Sequence, residues 1–131
     1  MILIFGGAYQ GKLDYALEKY GAGENSVYRC GIENIDTPQN KKIIYEIDKW
    51  ILALIQAGYR GEKLQEELRR FKESVINSDA VIICNDISCG VVPVDPNLRL
   101  WRETVGRLLA ELSKKSKEAV RLFCGIPMRI K

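Results

Sequence analysis

Short, continuously apolar runs alternate along this chain with longer stretches in which apolar residues recur every three or four positions. The first run, residues 2–5 (Ile-Leu-Ile-Phe), has the pattern of a strand covered on both faces of a parallel sheet. Residues 13–20 follow helical spacing, with Leu13, Ala16 and Leu17 on one side, and Gly21 and Gly23 stop the helix. Residues 26–30 read as a second strand and residues 31–36 as polar and irregular. Residues 61–77 form an amphipathic helix with Leu64, Leu68, Phe71 and Val75 as its inner stripe. Residues 79–84 (Asp-Ala-Val-Ile-Ile-Cys) are the clearest central strand, followed by a loop over 85–90. A third long helix over 96–115 carries Leu100, Trp101, Val105, Leu108, Leu109 and Leu112. Residues 119–124 return to strand, 125–127 turn the chain, and 128–131 add a short antiparallel strand.

The middle of the chain supports two readings. Thr37-Pro38 suits a helix start, with threonine as cap and proline at the first helical position. Ile43, Ile44, Ile47, Trp50, Ile51, Leu54 and Ile55 then fall at helical steps up to Gly58, which predicts one long helix over residues 38–57. The rival makes residues 42–47 a strand and begins the helix at Asp48. The long helix is preferred because Lys41, Lys42, Glu46 and Asp48 would crowd a buried strand. Such a helix, with Trp50 on it, packs on its own sheet or serves a subunit contact.

Strands alternating with helices predict an α/β fold, a three-layer sandwich around a mostly parallel sheet with a short antiparallel strand at its carboxyl end. Its 131 residues suit a single domain, residues 1–131, with a core of its own. Composition narrows the function. A net charge of +3 with scattered basic residues gives no ground for nucleic-acid binding. No apolar run approaches the ~20 residues that span a bilayer, and the apolar start is too short for a secretory signal. Cys30, Cys84, Cys89 and Cys124 contain no C-x-x-C pair and read as buried thiols of a cytoplasmic protein. There is no histidine, which removes imidazole bases, histidine metal ligands and any nucleotidyl-histidine intermediate.

Directly after the first strand, Gly6-Gly7-Ala8-Tyr9-Gln10-Gly11-Lys12 completes the G-x-x-x-x-G-K of a phosphate-binding loop, and Leu13 breaks it where serine or threonine belongs. The glycines let successive amides converge on an anion, the following helix adds its positive end, and Lys12 reaches the distal phosphates. Leu13 supplies no hydroxyl for magnesium, so a metal would need another ligand. The bland alternative is a glycine-rich turn with a chance lysine. Sheets of this kind bind ligands beyond the carboxyl ends of their strands. Asp86, just past the central strand, is the best acid there, or else Asn85-Asp86 is simply a turn and cap. Glu46 is a weaker candidate, read as a solvated charge on the long helix.

These residues carry a resemblance. The opening is similar to the G-G-A-x-x-G-K-S of the bifunctional adenosylcobinamide kinase/adenosylcobinamide-phosphate guanylyltransferase family of cobalamin biosynthesis. Val81-Ile-Ile-Cys-Asn85-Asp86-Ile-Ser-Cys-Gly90-Val-Val-Pro93 resembles that family's strand, Asn-Glu, glycine and Val-Pro signature. Arg99, Trp101-Arg102-Glu103 and Gly106-Arg107 follow at the family's spacing, and Gly125-Ile-Pro-Met-Arg-Ile-Lys131 is similar to its close. The resemblance covers residues 1–20 and 78–131. It implies ATP or GTP binding by Gly6, Gly7, Ala8, Tyr9, Gln10, Gly11, Lys12 and Leu13, with Lys12 and Asp86 as the catalytic pair and adenosylcobinamide as phosphoryl acceptor. It also implies self-association or pairing with a complete family member. Family members are longer in the middle, where the GMP-accepting histidine belongs, so guanylyl transfer through a histidine adduct is lost here. Three functions compete: a residual kinase, a non-catalytic nucleotide- or corrinoid-binding accessory subunit, and a kinase for another small molecule.

Overall fold

The computed structural model describes residues 1–21, 23–38, 41–87 and 91–131. Within them lie β1 (Ile2–Gly6), α1 (Lys12–Tyr20), β2 (Val27–Arg29), β3 (Ile43–Tyr45), α2 (Ile47–Gln56), α3 (Gly61–Val75), β4 (Val81–Asn85), α4 (Pro96–Lys115), β5 (Glu118–Phe123) and β6 (Ile126–Arg129). The six strands make one sheet in the order β2-β3-β4-β1-β5-β6. All neighbours are parallel except β5 and β6. The fold is the expected α/β sandwich, and β1 lies at its centre, between β4 and β5.

Side-chain alternation along the strands makes two cores. Leu3, Ile44, Ile82, Cys84 and Ala119 face one side, where they meet Trp50, Leu54, Phe71, Val105 and Leu112 from α2, α3 and α4. Ile4, Ile43, Val81, Ile83, Val120 and Leu122 face the other, against Ala16 and Leu13 of α1. These are the continuous apolar strands that double coverage demands. The ends of α4 were legible in the sequence: the Asp95 side chain accepts from the Asn97 amide at 2.8 Å, and Pro96 opens the first turn.

The single helix expected over residues 38–57 does not form. Residues 43–45 are a strand and the helix starts at Ile47, close to the rival reading; Gln39 and Asn40 lie outside the described residues. The charges that argued against a strand sit at its ends. Lys41 and Lys42 precede it on the surface, while Ile43 and Ile44 are buried on opposite faces. Glu46 takes a left-handed conformation, φ 62°, that breaks strand from helix. Between β4 and β2, β3 gains hydrogen-bonded neighbours on both sides, which helical spacing alone cannot reveal. Trp50 is buried within the chain, its ring 5.3 Å from that of Phe71 and its indole N–H bonded to the Ile35 carbonyl at 3.2 Å. It packs on its own sheet and is not presented to another subunit.

Two smaller corrections concern the carboxyl end. The turn is Cys124-Gly125, with φ of 51° and 75°, and β6 begins at Ile126 and includes Pro127. Proline is tolerated because β6 is an edge strand. The turn also exposes Cys124, whereas Cys30 and Cys84 are buried as expected; Cys89 lies outside the described residues. Among the described residues no helix is long and apolar enough to cross a membrane. Replacing Trp50 with alanine empties the centre of the larger core and should cost about 3–5 kcal/mol, read from urea denaturation. Tyr9→Ala, at a fully exposed ring, should leave the midpoint unchanged, and equal effects of the two would refute this packing.

Candidate functional site at the carboxyl end of the sheet

The Gly6–Lys12 segment leaves the central strand and enters α1, so it lies where ligands bind in such sheets. Gly6 closes β1 with φ 149°, and its carbonyl accepts from the Asp86 amide at 2.8 Å. A Cβ there would stand 2.4 Å from the Leu122 carbonyl oxygen, so only glycine fits. Gly7, Ala8 and Tyr9 are exposed, and Tyr9 holds φ 59° at the tip. Gln10 clamps the loop to the β5–β6 turn: its side-chain oxygen accepts from the Cys124 amide, and its carbonyl accepts from the Gly125 amide at 3.2 Å. Gly11, φ 84°, caps α1 and accepts from the Tyr15 amide at 3.0 Å. Among the described residues, none of the amides from Gly7 to Leu13 donates to a protein acceptor, which leaves them available to an anion.

Lys12 is only 4% exposed and donates to the Gly7 carbonyl at 2.5 Å. Burial pushes its pKa down, against the opposing pull of Asp48, then Cys84 and Glu46. Leu13 turns into the core on the α1 side of the sheet, which accounts for an apolar residue at that position. Its side chain makes no phosphate or metal contact that a hydroxyl would, so the loop retains its amides and lysine without the usual magnesium ligand.

Beside the loop stands a cluster that sequence reasoning undervalued. Asp48, 2% exposed, sits in the first turn of α2. It accepts from the Asn85 backbone amide at 3.0 Å and from the Asn85 side-chain amide at 3.2 Å. The same side-chain nitrogen reaches Glu46 at 3.1 Å, and Lys49 pairs with Glu46 at 2.9 Å. Trp101 of α4 donates to the Asp48 carbonyl at 2.7 Å, fixing α4 against this corner. Burial raises the Asp48 pKa, and the two Asn85 bonds hold it back. Glu46 is thus no solvated helix charge, and Asn85 is more than a turn residue. The signal available in the sequence was a carboxylate on the apolar stripe of Ile47, Ile51 and Ile55, directly after a strand. Asp86 is half-buried at the same mouth, with its amide on Gly6. Of the expected signature, Ser88, Cys89 and Gly90 lie outside the described residues. Among the described residues no group of three or more metal-ligating side chains forms.

A central strand, a glycine loop with free amides and a buried lysine heading a helix define a P-loop-like α/β protein. The family model described as cobinamide kinase / cobinamide phosphate guanyltransferase matches residues 30–130, and the chain belongs to that family. The match takes in residues 30–77, which the motif comparison had not covered, and begins downstream of the glycine loop. Membership places the chain in cobamide biosynthesis, with kinase and guanyltransferase chemistry at the level of the family. No curated protein sequence matches the chain.

Gly6→Ala should lower stability by more than about 3 kcal/mol in urea, since a clash with the backbone adds to an unfavourable φ. An unchanged midpoint would contradict the close approach to Leu122. The buried lysine sets a pH dependence. Its folded pKa lies below the ordinary 10.5, so the unfolded chain binds more protons between the two values and stability rises with pH across that window. Measured against Lys12→Met, the native chain should therefore gain stability between neutral and alkaline pH; parallel pH profiles would exclude a depressed lysine.

Proposed function

We propose that this protein binds ATP or GTP through Gly6–Lys12 and retains phosphoryl transfer to adenosylcobinamide, without guanylyl transfer. The observation that carries the reading is the loop itself: amides with no protein acceptor among the described residues, around a buried ammonium that donates to the Gly7 carbonyl. A polyphosphate would replace that carbonyl with stronger, charge-assisted bonds. Lys12 would stabilise the transferring charge. A magnesium ion that keeps most of its waters would draw on Glu46 or Asp86, the less deeply buried carboxylates at the mouth, in exchange for their present partners and in place of the hydroxyl missing at Leu13. Asp86 is also placed to orient the acceptor hydroxyl. Family membership supports the acceptor class. The absence of histidine from the 131 residues supports loss of a histidine-bound GMP intermediate. A second reading, a nucleotide-binding accessory subunit without turnover, is favoured by Leu13 alone.

Calorimetry should show binding of ATP or GTP, and Lys12→Ala should weaken it at least about tenfold, the loss of one strong charge contact. Leu13→Ser should raise magnesium-dependent phosphoryl transfer if the site is a kinase and change nothing if it only binds. Failure of both nucleotides to bind, with and without magnesium, would end both readings.

A further inference from the structure

The glycine loop is held at both ends by one other part of the chain, the β5–β6 hairpin. At its start, Gly6 lies too close to the Leu122 carbonyl of β5 for any side chain. At its end, Gln10 bonds to the hairpin turn, and a Cβ on the next residue, Gly11, would lie 3.8 Å from the Gly125 Cα. Between these anchors Gly7, Ala8 and Tyr9 are exposed. The turn has two central residues, Cys124 and Gly125, both left-handed and closed by the Phe123–Ile126 pair. Both central amides are given to Gln10: Cys124 donates to its side-chain oxygen and Gly125 to its carbonyl, the latter at 3.2 Å. The side-chain bond joins residues 114 apart, so it forms only once the sheet is assembled.

Gln10 also reaches back across the loop. A Cβ added to Gly7 would stand 3.7 Å from Gln10 Cγ and 3.8 Å from its Nε2, so the side chain lies against the residue whose carbonyl receives Lys12. The Cys124 amide needs an acceptor, which fixes the Gln10 side-chain oxygen on the hairpin and leaves its nitrogen towards Gly7. A continuous path of contact therefore runs from the hairpin through Gln10 to Gly7 and on to Lys12. The loop has need of one. Gly6, Gly7 and Gly11 give it backbone freedom that is costly to freeze. Tyr9 holds φ 59°, a conformation that persists in a non-glycine residue only where the surroundings enforce it. Without its anchors such a segment would spread over many shapes, few of which enclose Lys12 and bring the amides together.

We propose that Gln10 is a positioning residue through which the carboxyl-terminal hairpin shapes the glycine loop, keeping Lys12 enclosed and the loop amides open to a polyphosphate. Its value to nucleotide binding rests on the reading above; its effect on the loop does not. The test pairs two measurements on the intact chain, well below the urea unfolding transition. The first is the rate at which Lys12 is reductively methylated without ligand, read by peptide mass spectrometry. Gln10→Met, of similar length but without the acceptor, should raise that rate about fivefold, the worth of one net hydrogen bond. Gln10→Glu, which keeps an acceptor for the Cys124 amide, should leave Lys12 protected. Gly125→Val, which opposes the left-handed turn from the hairpin side, should act like Gln10→Met, and Gly125→Asn, which tolerates positive φ, should not. The second measurement is ATP and GTP affinity by calorimetry, which Gln10→Met should weaken by about the same factor. Val75→Ala, in the core away from the loop, should lower the urea midpoint with Lys12 reactivity and affinity unchanged. Unchanged Lys12 protection in Gln10→Met or in Gly125→Val would overturn the proposal. So would a loosened Lys12 with native affinity. If the native chain binds neither nucleotide, the loop reading falls, and Lys12 reactivity alone decides whether Gln10 shapes the loop.

Discussion

A lysine with almost no access to water must be satisfied by the protein or by a ligand, and the carboxyl end of this sheet is organised around that requirement. An isolated buried charge costs several kcal/mol, far more than surface ion pairs such as those of α3 return. Lys12 therefore rests on the Gly7 carbonyl, with Asp48 as its leading counter-charge. Asp48 is itself buried, so Asn85 supplies it with two donors, and Trp101 ties the backbone beneath it to α4. One ammonium thus links β1, α2, β4 and α4. The bond to Gly7 joins residues five apart, whereas the Asp48 contacts tie α2 to β4 and α4.

The same end of the sheet joins distant parts of the chain. Gly6 approaches Leu122 closely enough to exclude any side chain, and Gln10 holds the Cys124-Gly125 turn by both its backbone and side-chain oxygens. The amino-terminal loop is consequently shaped by the carboxyl-terminal hairpin. Movement of that hairpin would be felt by the loop through Gln10. The left-handed backbone at Cys124 and Gly125 sets the two strands of the hairpin at the tight spacing this clamp needs.

The family and the site rest on different parts of the molecule. The family match spans residues 30–130 and takes in Glu46, Asp48, Asn85, Asp86 and the arginines of α4. The glycine loop stands on its own geometry. The two chemistries named for the family make different demands: a phosphoryl group needs positioned cations and amides, a covalent guanylyl-histidine needs an imidazole, and these 131 residues contain no histidine.

Periodicity and punctuation determined much of the architecture. The apolar runs gave β1, β4 and β5, the helical stripes gave α1, α3 and α4, and Gly6 to Lys12 marked the loop, because strand–loop–helix order and glycine content are local properties. Only the tertiary structure decided the remainder. Whether Ile43–Tyr45 was strand or helix depended on β2 and β4 arriving on either side of it, since the residues suit both periods. Asp48 and Asn85 became partners because α2 and β4 pack together, 37 residues apart in the chain. No local pattern could show that Gly6 is required by Leu122, or that Lys12 would be buried rather than extended into solvent: burial and counter-charge belong to the assembled sheet, not to any segment of it.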